Sequence, residues 1–409
     1  MSRSRYVDLL RNNPRFRRLW LGEAIGFGGD WFGTIALYVI VQSLTDSAMA
    51  VALVYVAKTL PTFLVMPFAG PLADRVDRRK ILVGTSLARV VLTVALIGAA
   101  RFENLPLFYA ALVAQVTAGG VFVPAQQAAV PQVTRREELP LAMAVAGGTW
   151  SVMLAVGAAL GGVVATAIGA EGTLWLNALA FLITAAVLRG LPALPPDAAE
   201  RDEGSFTEGL AYLRREPVVG WLSVGKGVLS LGSAAIVVLP IYGNGLFPAT
   251  AGAAWTGALY ASRGLGALVG SMGVRTVGGD APDDLRRGLG PGFALLGIGL
   301  FGVAAAPNVV VAAVAYFLGA VGSGVLWVYA GTLLQLETAP AYRGRVFGIE
   351  FGLATVSMAA MSLATGVAMD SFGMSAREVT AWSAGLAVGC GLLWTLAVTR
   401  SARAAAAVG

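Results

Sequence analysis

Seven ionisable side chains sit inside stretches of this sequence that are otherwise apolar: Glu23, Asp30, Lys58, Arg89, Lys226, Arg263 and Glu350. An ionised group at the centre of a membrane-spanning helix costs about 2.5–3.5 kcal/mol on insertion scales, and such residues pair or face a water-filled cavity. The chemistry open to them is narrow. The chain has no histidine and a single cysteine, Cys390. That excludes imidazole relays, an intrachain disulfide and a cysteine-based metal site. Reversible protonation therefore falls to carboxylates, tuned by burial and neighbouring charge. No metal set, no nucleophile motif and no G-x-x-x-x-G-K-[ST] nucleotide loop is present, so neither an enzyme nor a bound cofactor is expected.

Spacing orders these seven. Glu23 and Asp30 are seven residues apart and share a helix face. Gly22, Gly26, Gly29 and Gly33 form a stripe about 80° away, at 100° per residue. The glycines are expected to pack on a neighbour while the acids face a polar cavity. Counted from a span beginning near residue 17, Asp30 lies about 20 Å deep at 1.5 Å per residue, level with Lys58. These two form a predicted midplane pair. Glu23, Arg89, Lys226, Arg263 and Glu350 fall nearer one end of their spans and form a second layer. Arg89 has a further expected role, bracing Asp74.

The elements that carry these residues are membrane helices. The chain has 409 residues, is 57% hydrophobic and 13% charged, and has a mean hydropathy of +0.74. That composition defines an all-α polytopic membrane protein. Twelve apolar runs are long enough to cross a hydrocarbon core of about 30 Å. They fall near 17–42, 48–70, 81–100, 106–130, 140–168, 172–191, 218–243, 250–272, 289–306, 308–334, 345–369 and 376–399. Twelve spans put both termini on one side. Of the 29 lysines and arginines, 23 then lie in segments on that side and two, Arg101 and Arg377, on the other. The positive-inside bias makes that side the cytoplasm. The same placement argues against nucleic acid as the reason for the net charge of +6. The expected domains are 1–191, a cytoplasmic linker 192–217, and 218–409. Within the linker, 205–216 is a predicted amphipathic surface helix.

Between the second and third runs lies Gly70–Lys80, reading GPLADRVDRRK. It resembles the loop signature of the major facilitator superfamily, with Gly70, Leu72, Asp74, Arg75, Arg79 and Lys80 on its positions. Asp77 stands where glycine is commoner. Gly70 is expected to admit a neighbouring backbone, and Pro71 to end the incoming helix. A weaker repeat, GSMGVR at Gly270–Arg275, marks the corresponding place in the second half. VFVPAQQAAVPQV in the fourth span, GFGGDWFG around Asp30 and GTLLQLETAPAYRGRVFG after the tenth resemble the drug/proton antiporter branch. That branch contains macrolide and tetracycline exporters and the enterobactin exporter. AVGAALGG in the fifth span resembles its antiporter motif only in part, since Ala158 replaces the usual proline.

The resemblance implies the twelve-helix major facilitator fold, two six-helix halves about one cavity, and alternating access in a bacterial cytoplasmic membrane. The partners it implies are a small-molecule substrate and the lipid bilayer, with the protein a monomer and the proton gradient the driving force. Asp30, Glu23 and Lys58 are then the expected proton-coupling and cavity residues. Gly70, Asp74, Arg75, Arg79, Lys80 and Arg89, with Arg343 and Arg345 before the eleventh span, form the expected conformational latch. Lys226, Arg263 and Glu350, with Glu23 and Arg89 of the first half, are the expected cytoplasmic gate: either opposite charges meet across the halves when that side closes, or each pairs within its own half or reaches to water. Two cargo classes fit: amphipathic or cationic molecules leaving by proton-coupled efflux, or an anionic or zwitterionic solute such as a siderophore. The first is the expected function, and four intramembrane bases against three acids keep the second open as the alternative. A non-transporting sensor or intramembrane enzyme is disfavoured, because no soluble signalling domain or nucleophile motif is present.

Overall fold

A computed structural model describes residues 3–196, 206–243, 252–277 and 281–408. Part of the expected linker, 197–205 with Arg201, lies outside the described residues. The described chain is helical and contains no strand. In order the helices are α1 (Arg3–Asn12), α2 (Pro14–Leu44), α3 (Ala48–Ala73), α4 (Arg78–Arg101) and α5 (Leu105–Val133). Next come α6 (Leu139–Arg189), α7 (Phe206–Arg215), α8 (Pro217–Ser223), α9 (Gly225–Leu229) and α10 (Ala234–Ile241). The rest are α11 (Gly252–Val277), α12 (Pro282–Ala305), α13 (Val309–Glu337), α14 (Arg343–Asp370) and α15 (Ala376–Val408).

Ten segments among the described residues are long and apolar enough to cross a membrane. The expected fifth and sixth spans run together in α6, which is divided by one non-helical residue, Gly169, at φ 79° and ψ 165°. The expected eighth span falls in α11, which is 26 residues long but carries Arg263 near its middle and is not among the ten.

The chain forms two compact units. Unit 1 takes residues 1–46, 57–199 and 250–261. Its central contact is α2 on α6, and the glycine stripe makes it. A Cβ at Gly22 would meet Leu188, one at Gly29 would meet Ala180, and one at Gly33 would fall on Asn177. Close approach lets Asn177 Nδ2 donate to Gly29 O at 2.7 Å. Lipid offers no hydrophobic drive for helix association, so small residues and such bonds carry it. Gly157 and Gly161 extend the seam to Gly28, Trp31 and Phe32, and Gly162 meets Gly257 of α11. These fifth-span glycines are thus packing residues. At one end of the unit Phe16, Leu19, Leu82, Phe122 and Leu188 form a buried cluster that ties α2, α4, α5 and α6.

Unit 2 takes residues 47–56, 200–249 and 262–409. Gly299 of α12 packs on Gly319 of α13, backbone to backbone. Phe293 of α12 meets Trp394 of α15 edge-on, centroids 6.0 Å apart. The expected seventh span is not one helix. It breaks after Ser223 and tightens to a 3-10 turn at Ser230–Ser233 before α10. A mid-helix 3-10 turn of this kind commonly marks a functional or strained place. Lys226 lies in its short central piece, α9.

Candidate functional site

A cavity of about 220 Å³ opens in unit 1. Glu23, Asp30 and Trp31 of α2, Lys58 of α3, Arg89 of α4 and Phe122 of α5 line it. The stripe explains why the acids are here. With its glycines held against α6, the face of α2 carrying Glu23 and Asp30 turns to the cavity. Glu23 is buried and its carboxylate hydrogen-bonds Gln126 of α5.

The pairing differs from the expected one. The Asp30 carboxylate is bound by Arg89, not by Lys58. Arg89 therefore does not brace Asp74. Depth counted along a helix locates a Cα, whereas the long arginine stem carries its charge well beyond one residue's rise. Arg89 is buried, and its guanidinium lies over the Phe181 ring at 3.8 Å. Gly119 of α5 faces that guanidinium, where a Cβ would lie in ordinary contact at 3.6 Å. Lys58 Nζ donates instead to Thr34 Oγ1 at 2.6 Å and approaches the main-chain oxygen of Asp30 at 3.4 Å. The Thr34 hydroxyl donates to that same carbonyl at 2.6 Å, so it accepts from the lysine. Trp31 presents its ring 6.0 Å from Lys58 Nζ. Among the described residues no carboxylate forms a salt bridge with Lys58. Trp31, Thr34, Phe181 and Gln126 were not singled out as site residues from sequence. The readable signal for Thr34 was its place four residues after Asp30, where threonine bonds back to the helix carbonyl.

A second charge cluster lies in unit 2. Lys226 Nζ and Glu350 Oε2 are 2.9 Å apart, with side chains only 10% and 1% exposed. Trp327 covers the ammonium at 4.5 Å. Glu350 Oε1 is buried without a hydrogen-bond partner. Of the two arrangements open to the second layer, the pairs seen are the within-half ones: Arg89 pairs with Asp30 within unit 1 and Lys226 with Glu350 within unit 2. Each finds the partner that packing brings nearest, which spacing alone does not reveal.

The loop after α3 departs from expectation at two points. Pro71 does not end α3, which runs to Ala73. A Cβ at Gly70 would meet nothing within 4 Å, so no backbone approaches it here. Asp77, the departure from the motif, caps α4 by accepting from Arg79 N at 2.9 Å. It also accepts from Leu194 N at 3.1 Å, while Arg79 Nη1 donates to Leu191 O at 3.0 Å. Asp74, Arg75 and Lys80 are exposed. In unit 2, Arg343 Nε donates to Thr338 O at 3.2 Å, and Arg345 pairs with Glu208 of α7 at 3.2 Å. Tyr212 of α7 stacks on Tyr342, centroids 4.2 Å apart, so the amphipathic helix docks on the start of α14.

Comparison with known proteins agrees with this architecture. The family model described as Major Facilitator Superfamily matches residues 19–348. The enterobactin exporter EntS of Escherichia coli is 30% identical over 354 residues, covering 84% of this chain and 82% of the relative. Among solved structures, the nucleoside transporter NupG superposes with a TM-score of 0.73 at 12% identity, covering 94% of this chain and 99% of that one. A bacterial homologue of the iron transporter ferroportin gives 0.68 at 15% identity, covering 95% and 98%. Polar and charged residues gathered round a cavity within glycine-packed membrane helices, on a chain matched over most of its length, place this multi-pass membrane protein in the major facilitator superfamily of transporters.

Proposed function

We propose that this chain is a proton-coupled secondary transporter that exports an anionic or zwitterionic small molecule. One observation carries the reading: Lys58 holds a positive charge in the cavity with no carboxylate on it, while Asp30 is already neutralised by Arg89. A desolvated cation needs an anion, and the substrate supplies it. Trp31, Phe27 and Phe122 give an aromatic or apolar body a surface to lie on. The likeness to an enterobactin exporter supports this class over cationic drugs. Asp30 is the coupling acid: when protonated it releases Arg89, and the cavity gains a positive charge. Glu23 shares the cavity as a second carboxylate.

The wider proposal keeps twelve spans in two six-helix halves, 1–191 and 218–409, working as a monomer without a cofactor. It places the chain in the bacterial cytoplasmic membrane with both termini inside, as the distribution of arginines supports. Gly70, Asp74, Arg75, Arg79 and Lys80 control the conformational switch through their loop.

The test is transport in proteoliposomes with and without an imposed pH gradient, using enterobactin as anionic probe and ethidium as cationic probe. Gradient-dependent enterobactin movement is expected. Asp30→Asn abolishes the gradient dependence and retains binding, and Lys58→Met loses the anion. Gradient-driven ethidium transport with no enterobactin transport overturns the reading.

A further inference from the structure

The charge of Lys58 is open to a solute only because of where its ammonium is held. Among the described residues two polar contacts hold it, and both end on α2. Nζ donates to Thr34 Oγ1 at 2.6 Å and lies 3.4 Å from the main-chain oxygen of Asp30. Neither acceptor carries a charge. The carboxylate of the same Asp30 is bound by Arg89. Opposite charges attract strongly out of water, and lysine's four-carbon stem is flexible enough to follow that attraction. The ammonium nevertheless sits on the backbone of Asp30 and not on its side chain.

Thr34 accounts for this. It stands one helical turn after Asp30, and it is 2% exposed. Its hydroxyl has one proton and two lone pairs. The proton goes to Asp30 O at 2.6 Å, the bond that threonine makes to the carbonyl four residues before it in a helix. Only lone pairs remain, so the hydroxyl is committed as an acceptor and suits an ammonium, which can only donate. Thr34 is not among the described residues that line the cavity, so it reaches a solute there through Lys58. All three residues belong to unit 1.

We infer that Thr34 is a positioning residue for anion specificity: its hydroxyl holds the Lys58 ammonium off the Asp30 carboxylate and leaves that charge for the solute. This role deepens the anion-transport reading and rests on it. Without the hydroxyl, Lys58 turns to Asp30 and shares the carboxylate with Arg89, and the cavity loses its uncompensated cation. The anchor uses the main chain of Asp30, which is the same whether the side chain is ionised or neutral. Lys58 therefore keeps its place while Asp30 takes up and releases a proton.

The test is enterobactin binding to the full chain in neutral detergent, by titration calorimetry. Thr34→Val keeps the shape and removes the hydroxyl, and should weaken binding about tenfold or more, the worth of a hydrogen bond to a charged group. Thr34→Ser restores the hydroxyl and should recover the binding. Thr34→Ala should bind as weakly as Thr34→Val and serves where the valine variant does not purify folded. The decisive readout is the Asp30→Asn background, which has no carboxylate to capture Lys58. There the loss of the hydroxyl should weaken binding about threefold or less, since residues of one network are not additive. A threonine that only supports the helix would cost the same in both backgrounds. Equal losses in both, or no loss in either, overturn this role. Lys58→Met tells its failure from that of the anion reading. If Lys58→Met binds enterobactin as the wild type does, the anion reading falls and the role of Thr34 with it. If Lys58→Met loses the probe while Thr34→Val and Thr34→Ala keep it, the role of Thr34 alone falls.

Discussion

Lys226 and Glu350 offer the sharpest energetic test in the molecule. Both are buried, at 10% and 1% side-chain exposure, and they meet at 2.9 Å. The pair is incomplete, because Glu350 Oε1 has no donor. Removing one member of a buried pair typically costs about 3–5 kcal/mol, since a charge is left uncompensated. The two singles should differ. Lys226→Met strands the carboxylate in apolar surroundings and should cost about 3 kcal/mol. Glu350→Met leaves the ammonium on the Trp327 ring at 4.5 Å. A desolvated cation–π contact returns about 1–2 kcal/mol, so this loss should be nearer 2 kcal/mol. The double methionine variant has no charge left to bury, and methionine fills irregular gaps well. Its cost should be about 1 kcal/mol or less, because apolar replacement of an imperfect buried pair is often neutral. Additive singles would predict about 5 kcal/mol, so the expected coupling is about 4 kcal/mol. Steric-trapping measurements of stability in micelles, on all four proteins, read this directly. A double variant that loses the sum of the singles would refute the claim that these two charges answer each other.

Two further changes probe unit 1. Gly33→Ala puts a methyl group where Asn177 lies, and should break the bond from Asn177 to Gly29 O. It should cost about 1–3 kcal/mol as overpacking, seen as a lower melting temperature in detergent, whereas Gly70→Ala, which meets nothing, should leave that temperature unchanged. Asp77→Ala removes the cap of α4 and the acceptor for Leu194 N. Loss of the cap alone should cost about 0.5–2 kcal/mol, and hydrogen exchange should speed at Leu194 and the first turn of α4. Asp77→Gly, restoring the commoner motif residue, should show the same faster exchange at Leu194.

Residue types and their order were enough to establish a great deal here. Apolar runs of about twenty residues must be helices across a bilayer, because no other local structure satisfies every backbone group in lipid. The loop Gly70–Lys80 carried the family, and the glycines at 22, 26, 29 and 33 announced a packing face one helix could present. The seven charges were legible as exceptions that need partners. Their partners were not legible. Whether Asp30 meets Lys58 or Arg89 depends on how each helix is rotated about its axis and how far a side chain reaches. Those rotations are set by α2 seating its glycines on α6. The break around Lys226 was hidden for a related reason: Gly225, Gly227 and Gly232 serve packing or unwinding equally well, and Trp394 and Ser357 pressed against the first two show where packing claims them. In sequence Asp77 is only a departure from the commoner glycine; its role depends on Leu194, 117 positions away, whose N–H donates to it. Sequence determines which residues cannot be left alone in a membrane; only the packed tertiary structure decides which of them meet, because contact depends on rotation and reach that no spacing along one helix contains.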